Sequence, residues 1–285
     1  MSRIAYVNGR YLLRRDALVD IEDRGYQLAD GVYEVCEVRG GAIIDQPRHL
    51  GRLQRSLGEL RIRAPVAPGA LAIILRETVR RNRVRNGIVY VQVTRGVARR
   101  DFSFPPRDTV PSLVVTARSL DLAANERRAA RGIAVITVPE CRWARVDIKS
   151  VALLPNVLAK QAARDRGADE AWFVDREGRV TEGASSNAWI VTPDRKVVTR
   201  PADNGILRGI TRTVLIGVVE AQNLVFEERP FTLEEAYGAG EAFVTAASQI
   251  VMPVVRIDDR PIGGGSPGPV ARALRADFHR HAQRT

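Results

Sequence analysis

"RVDIKSVALLPNVLAKQAA", residues 145–163, runs from a short alternating stretch through a lysine into a segment with helical spacing. The alternation predicts a strand over 145–148 with Lys149 at its end, then a helix from about Pro155 and Asn156 that stops by Gly167. Of 44 basic residues only Lys149, Lys160 and Lys196 are lysines; all others are arginine. A guanidinium stays protonated and forms no ordinary imine, whereas a lysine amine can be desolvated, deprotonated and made nucleophilic. Taken alone, Lys149 also has a plain account as a solvated surface charge, and both readings stand at this point.

Downstream, "EAWFVDREGRVTEG" and "SNAWIVTPDRKVVT" predict two consecutive hairpins turning at Arg-Glu-Gly and Pro-Asp-Arg. A helix from about Gly209 to Asn223, the segment "FTLEEAYGA", a strand "EAFVTAAS" and a terminal helix follow. Upstream lie "IAYVNGRYL" and "GVYEVCEVRGGAIID", then a helix with Leu50, Leu53, Leu57 and Leu60 on one face. A second helix over 67–84 and strands "GIVYVQVTRG" and "SLVVTAR" complete an α/β unit ending near residue 118. "SLDLAANERRAARG", 119–132, with little alternation and a closing glycine, is expected to link it to a second domain over 133–285. "GGGSPG", 263–268, lacks the strand-to-helix setting of a phosphate loop and is expected to be a connector.

At 45% hydrophobic residues the chain can bury a sizeable core, and its length suits about two domains. Cys36 and Cys141 are too few for a disulfide framework and form no Cys/His cluster, so no metal site is expected and a reducing, cytoplasmic setting fits. No leader-like apolar run opens the chain, and "LAIIL" is far too short to span a bilayer; a soluble, unprocessed protein with no membrane partner is expected. The net charge of +11 raises the alternative of an arginine-rich nucleic-acid-binding protein. The arginines are scattered and interleaved with acids, aromatic content is 6%, and no helix-turn-helix or zinc-finger spacing accompanies them, so no nucleic-acid partner is expected.

Four features become informative together: Lys149; Glu182 in "VTEGASSN"; Arg52 within the leucine-patterned helix; and "LRGITR", which opens a helix with no acid in its first turn. Each alone is an ordinary surface or turn feature. Jointly they supply an amine, a carboxylate and an anion site, the needs of pyridoxal 5'-phosphate.

"DRGYQLADGVYEV", "RHLGRL", "YVQVTRG", "DIKSVALLPNVLAKQAA", "VTEGASSNAWIV" and "ILRGITR" occur in that order, and with them the chain resembles the D-amino-acid aminotransferases of the fold-type IV pyridoxal-phosphate enzymes. That group also holds branched-chain aminotransferases, aminodeoxychorismate lyase and (R)-selective amine transaminases. The resemblance runs from about residue 4 to residue 278. It implies an α+β homodimer of two-domain subunits, with a small α/β N-terminal domain and a larger β-rich C-terminal domain.

The resemblance further implies that Lys149 is the Schiff-base lysine and Glu182 the partner of the pyridine nitrogen. Arg52, the backbone at Ile210 and Thr211, and Ser248 would hold the phosphate, with Ser186 and Asn187 lining the corner after Glu182. Tyr33 would stand beside the imine near the substrate carboxylate. Arg100 matches the arginine of the family's carboxylate trap, reached from the neighbouring subunit. Two positions on, where D-amino-acid aminotransferases commonly have histidine, this chain has Phe102, which lacks the donor. The expected activity is ping-pong transfer of the amino group of D-alanine or D-glutamate to a 2-oxo acid such as 2-oxoglutarate. An (R)-amine transaminase and an aminodeoxychorismate lyase are the alternatives within the same chemistry.

Overall fold

A computed structural model of the chain describes residues 3–285. They divide into two compact units. The first takes the chain up to Leu122 together with Ile148–Ala152 and Gln283–Thr285; the second takes Ala123–Asp147 and Leu153–Ala282.

The first unit begins with a hairpin, β1 (Ile4–Val7) and β2 (Arg10–Leu13), and a short helix α1 (Arg24–Leu28). After β3 (Gly31–Arg39) and β4 (Ala42–Ile43) come α2 (Gln46–Glu59) and α3 (Pro68–Arg81), each with proline in its first turn, where a missing N–H costs nothing. Then β5 (Gly87–Thr94) and β6 (Leu113–Ser119) close an antiparallel sheet in the order β2-β1-β6-β5-β3-β4. Along β5 the side chains alternate between buried and half-buried, as period two requires of a sheet with one covered face. Leu53 and Leu57 of α2 and Leu71, Leu75 and Val79 of α3 join Val32, Val89, Val91 and Val115 in one core.

The second unit starts on α4 (Leu122–Arg131) and β7 (Ile133–Pro139), followed by α5 (Leu154–Asp165). The hairpins β8 (Glu170–Val174) with β9 (Val180–Gly183) and β10 (Asn187–Val191) with β11 (Val197–Thr199) lead to α6 (Ile210–Ala221). Next come β12 (Phe226–Glu228), α7 (Leu233–Tyr237), β13 (Glu241–Ala246), β14 (Ile250–Ile257), β15 (Arg260–Pro261) and α8 (Pro269–His281). Its sheet runs β12-β11-β10-β13-β14-β7-β8-β9, with β15 beside β14. Trp189 and Val191 pack with Leu215, Val218, Leu274 and Phe278, while Ala188 and Ile190 pack with Phe231 and Ala236. With both faces covered, β10 and β11 are buried throughout and read as continuous apolar runs.

Three local expectations differ from the structure. The 119–132 stretch is mostly α4, with Ala129 buried in the second unit, and the division falls at Leu122, so this is not an open linker. Residues 145–148 form turns, and residues 148–152 belong to the first unit rather than to the domain expected over 133–285. In place of a ladder, Lys149 C=O accepts from the Tyr33 N–H (3.0 Å) and the Val151 N–H donates to Gly31 (3.0 Å), around a single bridge between Val32 and Ser150. Strands β12 and β14 are additions to the elements expected from the sequence.

Candidate active site

In the first unit, β3, α2 and the segment Ile148–Ala152 present Tyr33, Arg52 and Lys149, three of the expected residues. Lys149 Nζ lies 4.3 Å from the centre of the Tyr33 ring, a cation–π contact, and Tyr33 itself packs on Tyr90 at 5.6 Å between centroids. The Lys149 N–H donates to Ser56 Oγ of α2 over 3.3 Å. Among the described residues no carboxylate lies within ion-pair distance of the Lys149 amine, whereas Lys160 and Lys196 are each paired with acids. Arg52, one turn before Ser56, donates through Nε and Nη2 to Glu34 (2.7 and 2.8 Å), whose second oxygen also meets His49 Nδ1 at 2.7 Å. Glu34 is 0% exposed. Burial pushes its carboxyl up, but the charge and hydrogen bonds of Arg52, with those of His49, outweigh this and hold it at about 2.

In the second unit, Glu182 sits on the wholly buried β9. Its Oε1 accepts from Arg142 Nη1, and its Oε2 accepts from Asn187 Nδ2 (2.9 Å) and the Leu207 N–H (3.1 Å). Arg142 also grips Glu140 and reaches Thr181 Oγ1, and Thr181 donates to Glu140. Burial pushes the Glu140 carboxyl up, and the bonds and charge of Arg142 bring it below the ordinary value. Ser186 donates to Glu170 (3.1 Å), which Ser185 also engages (2.8 Å).

Ile210 and Thr211 open α6, whose first turn has no acid and whose N-cap, Gly209, supplies no side-chain cap. The N–H groups of that turn have no intrahelical partner and suit an anion. A Cβ on Gly209 would stand 2.1 Å from Asn187 Oδ1, so glycine is what lets the helix start approach the residue that holds Glu182. Ser248 is exposed on the turn from β13 to β14, and its carbonyl accepts from Asn125 Nδ2 at 3.5 Å. The turn ends at Ile250 with φ +60°, a strained conformation for a β-branched residue.

Arg100 and Phe102 lie on the irregular segment between β5 and β6 in the first unit; Phe102 is 85% exposed, with Arg100 Cζ 5.8 Å from its ring centre. Sequence reasoning missed Arg142, Glu34 and His49. Arg142 was one arginine among many, but Glu34 and His49 fall inside two of the quoted motifs and break their apolar pattern with polar groups, a signal that was available.

The Amino-transferase class IV family model matches residues 31–257. The chain belongs to the class IV aminotransferases. It is 38% identical to the D-alanine aminotransferase of Staphylococcus haemolyticus over 278 residues, covering 98% of this chain and 97% of that protein. With the D-alanine aminotransferase of Bacillus licheniformis the identity is 40% over 265 residues, 93% and 92% of the two chains. Among solved structures, the T.th. branched-chain amino acid aminotransferase with pyridoxamine 5'-phosphate superposes with a TM-score of 0.90 at 27% identity, covering 98% and 94%. The branched-chain enzyme from Escherichia coli gives 0.88 at 21% identity with the same coverage, a likeness of fold.

The residues of this class IV aminotransferase fit a pyridoxal phosphate. Lys149 offers an amine with no acid partner, Glu182 a carboxylate already held in place, and α6 an uncapped N-terminus cradled by a glycine. Both Glu182 oxygens accept bonds from the protein, which fixes the orientation of the carboxylate. Among the described residues no helix is long and apolar enough to cross a membrane, and no His, Cys, Asp and Glu group could hold a metal ion.

Proposed function

We propose that this enzyme is a pyridoxal-phosphate-dependent transaminase that moves the amino group of a D-amino acid, D-alanine or D-glutamate, to a 2-oxo acid such as 2-oxoglutarate. The observation that carries the reading is Lys149, an amine set over the Tyr33 ring with no carboxylate to hold it as an ion pair. Pyridoxal phosphate supplies an aldehyde for that amine and a ring that accepts electrons when the substrate Cα–H bond breaks. Lys149 Nζ then serves as general base and acid, taking the Cα proton and returning one. Glu182, oriented by Arg142 and Asn187, keeps a proton on the pyridine nitrogen. Arg52 and the first N–H groups of α6 bind the phosphate, with Ser248, and Ser186 lines the corner after Glu182. Tyr33 flanks the reacting carbon, and Arg100 pairs with the substrate carboxylate. Donor and acceptor use one site in turn, which gives ping-pong kinetics.

The D-alanine aminotransferases similar to this chain support D-amino acids as donors. We further place the enzyme in a reducing cytoplasm as a homodimer; both cysteines are free, and Leu18, Ile21, Tyr26, Phe102 and Val110 of the first unit expose apolar surface that a second copy would cover. One observation favours a second activity on (R)-amines: Phe102 offers Arg100 a ring and no additional donor for a carboxylate.

Borohydride reduction of the holoenzyme followed by peptide mapping tests the lysine. A pyridoxyl label on Lys149 is expected; a label on Lys160 or Lys196 overturns the assignment. Amino transfer from D-alanine, L-alanine and (R)-1-phenylethylamine to 2-oxoglutarate, followed by chromatography, ranks the donors. Pyruvate release from aminodeoxychorismate without amino transfer would replace the transaminase reading by a lyase.

A further inference from the structure

Asp30 is gripped by two arginines. Its Oδ2 accepts from Arg24 Nε (2.9 Å) and Arg95 Nε (2.7 Å), and its Oδ1 accepts from Arg95 Nη2 (2.9 Å). The three side chains are 12%, 4% and 9% exposed, so two cations and one anion share a nearly dry place. The surplus positive charge is met by backbone carbonyls. Arg95 donates to Leu60 (2.8 Å) and Arg61 (3.2 Å), just past the end of α2, where helix carbonyls lack partners and the dipole is negative. Arg24 Nη1 donates to the carbonyl of Asp101 (2.7 Å).

That last bond reaches Asp101, the residue between Arg100 and Phe102. Further ties hold the same segment: the Arg24 N–H donates to Gly96 (2.9 Å), the Arg95 N–H to Asp30 (3.0 Å), and the Ser103 N–H to Asp101 Oδ1 (2.8 Å). Phe104 lies on Arg95, with 3.8 Å between ring centre and Cζ, and Arg61 stands 5.0 Å from the same ring. At the neck, Gly96 has φ +102°, and a Cβ there would be 2.0 Å from the Val110 carbonyl oxygen, so the segment is pinched where it leaves β5. Asp101 and Phe104 are thus fastened, while the side chains of Arg100 and Phe102 project from between the fastenings into solvent.

We infer that Arg24, Asp30 and Arg95 form a clamp that positions Arg100 and Phe102 and so sets the enzyme's selectivity for a carboxylate-bearing donor. These are positioning residues; none is assigned to touch substrate or cofactor. Desolvating three charges is expensive and seldom the cheapest route to stability, whereas it fixes one backbone arrangement among several. The inference rests on the proposed role of Arg100 as carboxylate partner.

Arg24→Lys keeps the charge but loses the fork that spans Asp30 and the Asp101 carbonyl. In the holoenzyme it is expected to raise KM for D-alanine about tenfold, the scale of one charged hydrogen bond, with kcat within about twofold. A fall in kcat that tracks the melting temperature, or an unchanged KM, overturns the clamp. Should Arg24→Lys fail to fold, Phe104→Ala decides instead. It removes an exposed ring and its cation–π contacts with Arg95 and Arg61 and is expected to raise KM for D-alanine about two- to fivefold; no rise overturns the proposal. Arg100→Ala separates the two claims. If it raises KM and Arg24→Lys does not, the clamp falls and the carboxylate role stands. If Arg24→Lys raises KM and Arg100→Ala does not, the role of Arg100 falls and the inference that rests on it is overturned with it.

Discussion

The amide of Tyr33 donates to the carbonyl of Lys149 over 3.0 Å, so the proposed catalytic lysine is held to β3 through its backbone as well as through the contact of its amine with the Tyr33 ring. Lys149→Ala leaves that bond and the one from Val151 to Gly31 in place. The variant should melt within a few degrees of the parent, both without cofactor, and show no turnover. Differential scanning fluorimetry and a D-alanine assay check both halves; a large loss of thermal stability would make the lysine a structural residue.

Glu182→Gln keeps the shape of the side chain and its bond to Arg142 but removes the negative charge beside the ring nitrogen. Cleavage of the Cα–H bond of D-alanine, followed in single turnover by cofactor absorption, should slow by far more than cofactor affinity drops. A rate within about threefold of the parent, under ~0.7 kcal/mol of barrier, would rule out the proposed role.

Two glycines at α6 should respond in opposite ways. Gly209→Ala forces a methyl to 2.1 Å from Asn187 Oδ1 and should weaken pyridoxal phosphate binding at least tenfold, measured by equilibrium dialysis of the apoenzyme. Gly217, inside the same helix, has nothing within 4 Å of a Cβ. Gly217→Ala should leave affinity unchanged and add about 0.5–1 kcal/mol of stability in urea.

Much of this was legible in advance because the pattern matched the period. Leu50, Leu53, Leu57 and Leu60 predicted α2, and "SNAWIVTPDRKVVT" predicted the hairpin of β10 and β11. What failed had physical causes. Pro253 sits inside β14, where a proline argues against a strand, but it lies one residue ahead of the first pairing with β7 at Val254. The alternation of Arg145–Ile148 is genuine, yet Asp147 is held by Arg145 and Ile148 enters the core of the first unit, so the segment turns instead of pairing. Arg142 could not be told from the solvated arginines by composition; only its burial against Glu140 and Glu182 distinguishes it.

Glu34 is a buried source of acid sensitivity in the first unit. Its folded value of about 2 lies below the ordinary carboxylate value, so the folded state binds its proton less readily than the unfolded one. Its contribution is complete above roughly pH 4.5 and is lost as pH falls from there through about 2. Glu34→Gln should melt lower than the parent at pH 7, and the two curves should converge as pH falls from about 4.5 towards 2 in thermal denaturation. Parallel curves would show that the Arg52 pair contributes nothing to acid stability.

The chain visits the first unit three times, up to Leu122, at Ile148–Ala152 and at Gln283–Thr285. A gene divided at the obvious seam after residue 122 would yield a fragment without its lysine, and with Ile43 of β4 missing the amide and carbonyl of Thr285 that it pairs with. Recombination between relatives meets the same obstacle. Exchanging only the first 122 residues would set a foreign Gly31 and Tyr33 against a resident Lys149. The smallest exchangeable piece that keeps the first unit whole is therefore larger than its first 122 residues and takes in Ile148–Ala152 and Gln283–Thr285.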